Sequence, residues 1–131
     1  MLKPATLSSE APTLAVPAGL GCTWGTNGLG GAWVRATGEL DLATAPQLRE
    51  RLALLSEAGK NQVTLDLTNL DFIDSTGLSV LVMVFNRAQA AEGSMVIRNP
   101  SSSVMRIFEI TGLASVFTIA GDGDPVPSIG G

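Results

Sequence analysis

The chain has 131 residues, a length that fits one ordinary domain and leaves little room for a second. Hydrophobic residues make up 45% of the chain and charged residues 15%, which is typical of a globular protein rather than a disordered one. The net charge of −4 argues against direct binding to DNA or RNA, because a nucleic-acid binder needs a basic surface. Since the chain contains no histidine, it cannot build a Ser-His-Asp triad or an imidazole metal site.

The single cysteine and the lengths of the apolar runs indicate where the protein works. Cys22 cannot form an internal disulfide, and we interpret it as a small buried hydrophobe rather than a redox sensor. The longest strongly apolar run, residues 78–85, is far shorter than the roughly 20 residues that a membrane span needs. We therefore expect a protein of the cytoplasm that makes no membrane contact.

The two ends of the chain differ in composition from its middle. Residues 1–18 are rich in Ala, Pro, Thr and Ser and carry almost no charge, so we expect a flexible N-terminal arm. Residues 121–131 are rich in Gly and Pro, and we expect a flexible C-terminal tail there. A single folded domain is predicted between them, over residues 19–120.

A hairpin is the first structure that the sequence predicts. Residues 22–25 are expected to form a short edge strand, and the turn signals Asn27-Gly28 and Gly30-Gly31 join it to residues 32–37. Small apolar residues alternate with larger or polar ones over 32–37. This alternation indicates a strand that has one buried face.

A helix is predicted next, beginning at Thr44-Ala45-Pro46-Gln47. This segment has the Thr-x-x-Gln pattern of a capping box, with proline in the first turn, where its missing N–H costs nothing. Gly59 is expected to end the helix. The residues expected on its buried side are Leu48, Leu52 and Leu55.

The remaining elements alternate between strand and helix. They are a strand at 63–67, a loop at 68–74, a helix from about Ser75 to Ala91, a strand at 94–98, a helix capped by Asn99 and ended by Gly112, and a strand at 116–120. The order β-β-α-β-α-β-α-β predicts an α/β fold in a single domain. We expect a mixed, mostly parallel sheet of four to five strands packed with three to four helices.

Carboxylates and a hydroxyl are predicted to meet at one edge of this sheet. Asp41 follows the second strand, and the loop after the third strand holds Asp71, Asp74 and Ser75. Loops at the C-terminal ends of parallel strands gather on one side of an open α/β sheet. We therefore expect these four side chains to form an acidic cluster at the start of the second helix.

Three interpretations of this cluster are open from the residues alone. Asp74 or Ser75 can be an ordinary N-cap, which stabilises a helix by about 1 kcal/mol. The carboxylates can also indicate acid/base catalysis or a magnesium site, although the loop lacks further ligands, so we predict no metal and no cofactor. Thirdly, Ser75 can accept a phosphate, because a helix N-terminus tolerates a negative group that adds about −1.5 to −2 charges.

The second helix is predicted to have one buried side and one side available to a partner. The side expected in the core carries Leu78, Leu81, Val82, Phe85 and Ala88. Val80 and Met83 are expected to be partly exposed, along the helix from Ser75. Such residues are either stray exposed apolar side chains or part of an adaptable binding surface, for which methionine is well suited.

Several segments, in this order and at these intervals, resemble one bacterial family. They are residues 38–46, residues 63–68, the Asp-Phe-Ile-Asp-Ser-Thr-Gly element at 71–77, and residues 108–113. Together they resemble the anti-sigma factor antagonists of the STAS domain class. The resemblance covers roughly residues 20–120, and the Asp-Ser-Thr-Gly part is its most specific piece.

The resemblance implies a function without catalysis. Members of this family bind an anti-sigma factor that is also a serine kinase, and this binding frees a sigma factor. The kinase then phosphorylates the serine at the start of the second helix, Ser75 on this chain, and the phosphorylated antagonist lets go. A metal-dependent serine phosphatase restores it.

The resemblance also implies roles for individual residues. It places Asp41 on the surface that faces the kinase, and Asp74 in a role that shapes the phosphoacceptor loop. The other residues expected in the partner-binding set are Asp71, Thr76, Gly77, Val80 and Met83.

One alternative function belongs to another class of protein. The same fold occurs as a constitutive scaffold or subunit of lipid-transport and stress-sensing complexes, where Ser75 would be only a helix cap. An enzyme is not expected, because no nucleophile and base can be paired without histidine.

Overall fold

A computed structural model describes residues 20–26 and 30–121 of the chain. The predicted arm at 1–18, the Asn27-Gly28 turn and the predicted tail beyond Gly121 lie outside these residues. The strands are β1 (Leu20–Thr26), β2 (Gly31–Leu40), β3 (Gln62–Asp66), β4 (Leu70–Ile73), β5 (Ser94–Arg98) and β6 (Thr118–Ala120). The helices are α1 (Ala45–Glu57), α2 (Ser75–Ala90), α3 (Ser102–Thr111) and a short 3-10 helix (Leu113–Ser115).

The strands form one mixed, mostly parallel sheet in the order β1-β2-β3-β5-β6, with β4 added to β2. Only the edge strand β1 is antiparallel to its neighbour among the described strands, which confirms the predicted hairpin onto β2. The ten-residue β2 pairs through its first half with β3 and through its end with β4. The predicted α/β class and sheet type are therefore confirmed.

Strand β4 corrects the prediction of a loop over residues 68–74. Leu70 and Ile73 are buried, whereas Asp71 and Phe72 between them are exposed. The register against β2 shifts between Gly38 and Glu39. With four residues and this irregular pairing, β4 does not show the period-two pattern by which a strand is recognised in a sequence.

All three α-helices pack on one face of the sheet, where the hydrophobic core lies. The alternation predicted in β2 is confirmed, since Ala32, Val34 and Ala36 are buried there. The three leucines predicted on the inner side of α1 are buried as well. No helix in the described ranges, 20–26 and 30–121, has the length and apolar character needed to cross a bilayer.

The predicted N-capping residues of two helices, α1 and α3, are wrong. The Thr44 side chain does not cap α1; its hydroxyl accepts a hydrogen bond from the Asp41 N–H at 2.9 Å and donates one to the Glu39 carbonyl at 2.8 Å. The third helix is capped by Ser101 rather than Asn99, which adopts a left-handed conformation (φ 52°). The glycines predicted to end α1 and α3, Gly59 and Gly112, do have positive φ angles.

The rotational setting of α2 also differs from the prediction. Val80 was expected to be partly exposed, but it is 6% exposed and belongs to the core cluster. Val84 is buried as well, whereas Leu78, Val82 and Phe85, which were expected in the core, are only partly buried. The helix is therefore turned so that the side chains following Gly77, at 80, 81, 84 and 88, face the sheet.

Cys22 is half-buried in β1 and packs against the core. Burial raises the pKa of its thiol, and the nearby Arg51 opposes this effect. A thiol with a raised pKa is a poor nucleophile near neutral pH. This environment agrees with the interpretation of Cys22 as a small hydrophobe.

Candidate functional site

The candidate site is built where β2 and β4 end side by side. Leu40 and Ile73 are Cα partners across these two parallel strands. Asp41 follows the first of them, and Asp74 and Ser75 follow the second. The structure therefore brings three of the four residues of the predicted cluster to one edge of the sheet. Asp71, the fourth, lies within β4 rather than in the loop after it.

Ser75 is the first residue of α2, and its side chain is exposed. Within the described residues its hydroxyl makes no hydrogen bond. Asp74 is the N-cap, and its Oδ1 accepts a hydrogen bond from the Gly77 N–H at 3.0 Å. The capping role therefore belongs to Asp74, and the Ser75 hydroxyl is left free for another purpose.

The Asp74 carboxylate also ties the helix to the neighbouring loop. Its second oxygen, Oδ2, accepts a hydrogen bond from the Leu42 N–H at 3.1 Å. The Asp74 N–H in turn donates to the Leu40 carbonyl at 3.1 Å. These contacts fix the position of Ser75 relative to the loop between β2 and α1.

Asp41 stabilises that loop from within. Its Oδ1 accepts hydrogen bonds from the Ala43 N–H at 3.0 Å and the Thr44 N–H at 3.1 Å. The carboxylate is half-buried, so it organises the backbone in addition to lining the edge of the site. The surface role predicted for Asp41 stays a prediction.

Asp71 lies two residues before the end of β4, and it is exposed. Its carbonyl accepts a hydrogen bond from the Ser103 hydroxyl at 3.2 Å, which links β4 to the start of α3. Among the described residues there is no group of three or more acidic or cysteine side chains that could hold a metal ion. One oxygen of Asp41 and both oxygens of Asp74 instead accept hydrogen bonds from backbone N–H groups.

Gly77 sets the distance between α2 and the sheet. A Cβ atom at this position would lie 2.8 Å from the Leu40 carbonyl oxygen and 2.9 Å from Ile73 Cγ1. Gly77 is buried, so the structure gives it a packing function, whereas Thr76 beside it is partly exposed. Of the predicted partner-binding set, Gly77 and Val80 are thus covered by the fold.

A shallow groove extends along α2 from Ser75. It is lined by Leu78, Ser79, Val82, Met83 and Asn86, which lie at successive helix turns on one side. We call these five residues and Ser75 the α2 stripe. Met83 is partly exposed there, as predicted.

Two exposed apolar side chains near Ser75 were not singled out by sequence reasoning. Leu42 is 73% exposed and Phe72 is 48% exposed. Leu42 is the residue whose N–H binds Asp74, and Phe72 precedes Asp74 by two positions. The available signal was weak, because a single apolar residue beside an aspartate is normal in a loop.

The arrangement has the features of a protein-binding surface rather than a catalytic centre. Apolar groups that remain exposed together with polar ones mark interaction sites on soluble proteins. Ser75 begins the α2 stripe and follows Asp74, which binds the N–H of the exposed Leu42. A change of charge at Ser75 would therefore act next to both the stripe and the exposed loop residue.

Comparison with known proteins identifies the family. A model of the STAS domain matches residues 25–123. The anti-sigma-B factor antagonist of Bacillus subtilis is 38% identical over 87 residues, which are 66% of this chain and 79% of that protein. The anti-sigma-B factor antagonist of Listeria monocytogenes is 35% identical over 82 residues, which are 63% of this chain and 72% of that protein.

Solved structures of anti-sigma factor antagonists have the same fold as this chain. An anti-sigma factor antagonist from Mycobacterium paratuberculosis matches with a TM-score of 0.71 and 22% identity, over 82% of this chain and 90% of that one. The antagonist SpoIIAA in its unphosphorylated form matches with a TM-score of 0.64 and 18% identity, over 79% and 90%. Its phosphorylated form from Bacillus matches with a TM-score of 0.63 and 20% identity, over 78% and 93%. The chain belongs to the STAS-domain family of anti-sigma factor antagonists.

Proposed function

We propose that this protein, when unphosphorylated, binds an anti-sigma factor that is also a serine kinase and thereby frees a sigma factor. Phosphorylation of Ser75 by that kinase ends the binding, and a metal-dependent serine phosphatase restores it. The protein itself acts by binding, without catalysis, metal, cofactor, DNA or membrane. The proposed role requires the cytoplasm, where sigma factors meet RNA polymerase.

The observation that carries this proposal is the state of the Ser75 hydroxyl. It is exposed and free of hydrogen bonds within the described residues, at the first position of a helix. A kinase can therefore reach it without unfolding any element. A phosphate added there lies beside the positive end of the helix dipole, so the helix remains stable.

The fold tolerates this modification in a relative. The unphosphorylated and phosphorylated forms of SpoIIAA match this chain with TM-scores of 0.64 and 0.63. Both the unphosphorylated and the phosphorylated form of that protein therefore have the fold of this chain. This supports a switch that acts on the surface rather than on the fold.

The surroundings of Ser75 explain why a phosphate would end binding. A phosphate adds about −1.5 to −2 charges at neutral pH. Asp74 and Asp71 already lie nearby, and Leu42 and Phe72 present apolar surface. A partner that covers this surface would have to bury the phosphate against apolar groups and carboxylates, which costs desolvation and like-charge repulsion.

Substitution of Ser75 tests the switch directly. Ser75→Ala should bind the purified kinase as tightly as the wild type and should not be released when ATP is added. Ser75→Glu should bind about a hundredfold more weakly, on the order of 3 kcal/mol, through charge and desolvation. Isothermal titration calorimetry with and without ATP measures both effects.

Gln89→Glu is the control, because it adds a negative charge at an exposed position in the last turn of α2, about 21 Å along the helix from Ser75. It should leave binding unchanged. Equal affinities of Ser75→Ala and Ser75→Glu would contradict the proposal. They would favour a constitutive scaffold or complex subunit instead.

A further inference from the structure

Strand β1 lies at one edge of the sheet, and its outer side has no partner strand within residues 20–26 and 30–121. Proteins usually protect such an edge with a charged side chain, a proline, a bulge or a very short strand. β1 has seven residues, none of them charged or proline, and it pairs with β2 in an unbroken register. β6, the edge strand at the other end of the strand order, has only three residues. Of these two edges, β1 is therefore the one suited to accept a further strand.

The pairing with β2 shows which backbone groups of β1 face outward. Gly38, the Cα partner of Leu20, donates its N–H to the Asn69 carbonyl at 3.0 Å, on the side away from β1. Along an antiparallel pair, partners that exchange hydrogen bonds alternate with partners that do not. Leu20 and Gly38 are a pair of the second kind, and so are the pairs that involve Cys22 and Trp24. The N–H and C=O groups of Cys22 and Trp24 therefore point to the outer side of the sheet.

The side chains next to this edge form a small surface with a cavity. The cavity has a volume of about 130 Å³ and lies between β1 and α1, lined by Cys22, Gln47, Glu50, Arg51 and Leu54. Beside it the Arg51 guanidinium lies 4.9 Å from the centre of the Trp24 ring. Trp24 is 44% exposed and Leu54 is 51% exposed. Exposed apolar groups together with polar ones mark an interaction site on a soluble protein.

We propose that β1 pairs antiparallel with β1 of a second copy of this chain, across a two-fold axis at Thr23. In this register Cys22 of each copy faces Trp24 of the other, and their outward N–H and C=O groups form the hydrogen bonds between the copies. Each cavity, lined by Cys22, then lies beside the Trp24 ring of the other copy. The two sheets become one continuous sheet, with the helices of both copies on the same face.

The surface is complementary to itself, as a two-fold interface requires. Glu50 and Arg51 give each copy one acidic and one basic side chain at the cavity, so opposite charges can pair reciprocally between the copies. The exposed Trp24 of one copy and the cavity of the other provide an apolar group and a space beside it. Because each copy offers both halves of these contacts, a second copy is the occupant that the surface favours.

The two neighbouring registers that keep the helices on one face fit the edge less well. An axis at Cys22 would place Trp24 of one copy against Leu20 of the other. The Leu20 carbonyl is already used, because Gln47 Nε2 donates to it at 3.2 Å. An axis at Trp24 would place the two Trp24 rings against each other and would leave the cavities without an occupant.

The proposed interface is separate from the site at Ser75. Gly38 of β2 is the Cα partner of both Leu20 in β1 and Leu70 in β4, so these two strands lie on opposite sides of β2. Ser75 follows β4 and therefore lies away from the outer side of β1. Ser75→Glu should remain dimeric, so the dimer and the phosphorylation switch can each fail without the other.

Sedimentation equilibrium on the full chain tests the proposal. The wild type should reach twice the mass of one chain as its concentration rises. Trp24→Glu should remain a monomer, because it places a charge against the hydrogen-bonded Cys22 of the other copy. Trp33→Glu is the matched control: Trp33 is 42% exposed on the neighbouring strand, but it lies on the opposite face of the sheet, and the variant should dimerise as the wild type does.

The outcomes that would overturn the proposal are a wild type that stays monomeric at every concentration and a Trp24→Glu variant that still dimerises. Circular dichroism confirms that both tryptophan variants are folded. If Trp24→Glu does not fold, the cross-linking of introduced cysteines tests the same interface without it.

The cross-linking experiment tests the register. Thr23 would lie opposite its own copy at about 4.5 Å between Cα atoms, a distance that a disulfide can span. Thr23→Cys in a Cys22→Ser background should therefore form a disulfide-linked dimer on mild oxidation. Gln89→Cys in the same background is the control, since Gln89 is exposed at the end of α2, and it should not cross-link. Cross-linking of the wild type through Cys22, or none through Thr23→Cys, would contradict the proposed pairing.

Discussion

At the scale of single residues, Asp74 has the largest structural effect on the site. One carboxylate oxygen caps α2 through the Gly77 N–H, and the other accepts from the Leu42 N–H in the adjacent loop. A carboxylate is suited to this position because both oxygens only accept hydrogen bonds. The residue before Ser75 thus joins two loops that the chain connects only through a whole helix and two strands.

Asp74→Ala should lower the free energy of unfolding by about 2 kcal/mol, because it removes a helix cap and a second hydrogen bond. Asp74→Asn should cost about half as much, since the amide oxygen can still cap the helix but its NH₂ group cannot accept from Leu42. Urea denaturation measures both values. A loss below about 0.5 kcal/mol for Asp74→Ala would contradict the double role.

The identity of the site residues could be predicted from the sequence, but the structural role of each residue could not. A helix boundary is uncertain by one residue in any sequence pattern, so Asp74 and Ser75 were equal candidates for the cap. The hydrogen bond from Leu42 joins residues 32 positions apart. No local pattern contains such a contact.

At the scale of elements, the rotation of α2 about its own axis is determined by the close approach of Gly77 to the sheet. The helix carries apolar residues on most of its circumference, so several rotations would bury a similar amount of surface. The close approach of Gly77 to Leu40 and Ile73 selects one rotation. That rotation buries Val80 and leaves Met83 on the α2 stripe.

Gly77→Ala should therefore destabilise the protein by about 1–2 kcal/mol. Overpacking against the Leu40 backbone outweighs the higher helix propensity of alanine, which alone would contribute about 1 kcal/mol in the other direction. Thermal or urea unfolding checks the sign. Asn86→Ala, at an exposed position of the same helix, is the control and should be neutral or stabilising.

Elements whose hydrophobic residues recur with a clear period could be predicted from the sequence. Elements that depend on pairing with a distant strand could not. The leucines of α1 and the alternating residues of β2 each show one clear period, and both elements were predicted correctly. Strand β4 forms only because β2 extends far enough to pair with it. Its own four residues contain too little pattern to indicate a strand.

At the scale of the whole molecule, an ion pair between Arg35 and Asp66, on the face of the sheet opposite the helices, joins β2 to β3 in addition to the backbone hydrogen bonds. Asp66 is Cα partner to both Arg35 and Arg98 on the flanking strands. Burial opposes its ionisation, but hydrogen bonds from Thr68 and from Arg35 outweigh this and hold the pKa of the carboxyl below its usual value. The ionised form of Asp66 therefore stabilises the fold.

The lowered pKa of Asp66 predicts that its contribution to the free energy of unfolding depends on pH. Because the pKa of Asp66 is lower in the folded chain, its contribution is complete above the unfolded value of about 3.9 and is lost as the pH falls through the folded value. Asp66→Ala should cost about 1 kcal/mol at pH 7, and this difference should shrink below about pH 4. Urea unfolding from pH 7 to pH 3 measures it. A difference independent of pH would contradict the role of the ionised carboxyl.

The free hydroxyl of Ser75 has a kinetic consequence. None of the bonds that build the site passes through it, since Asp74 and Asp41 hold the surrounding backbone. A group can therefore be attached there or removed without any slow rearrangement of the chain. The response time of the protein would then depend on enzyme turnover and on diffusional encounter with its partner, rather than on interconversion between two shapes.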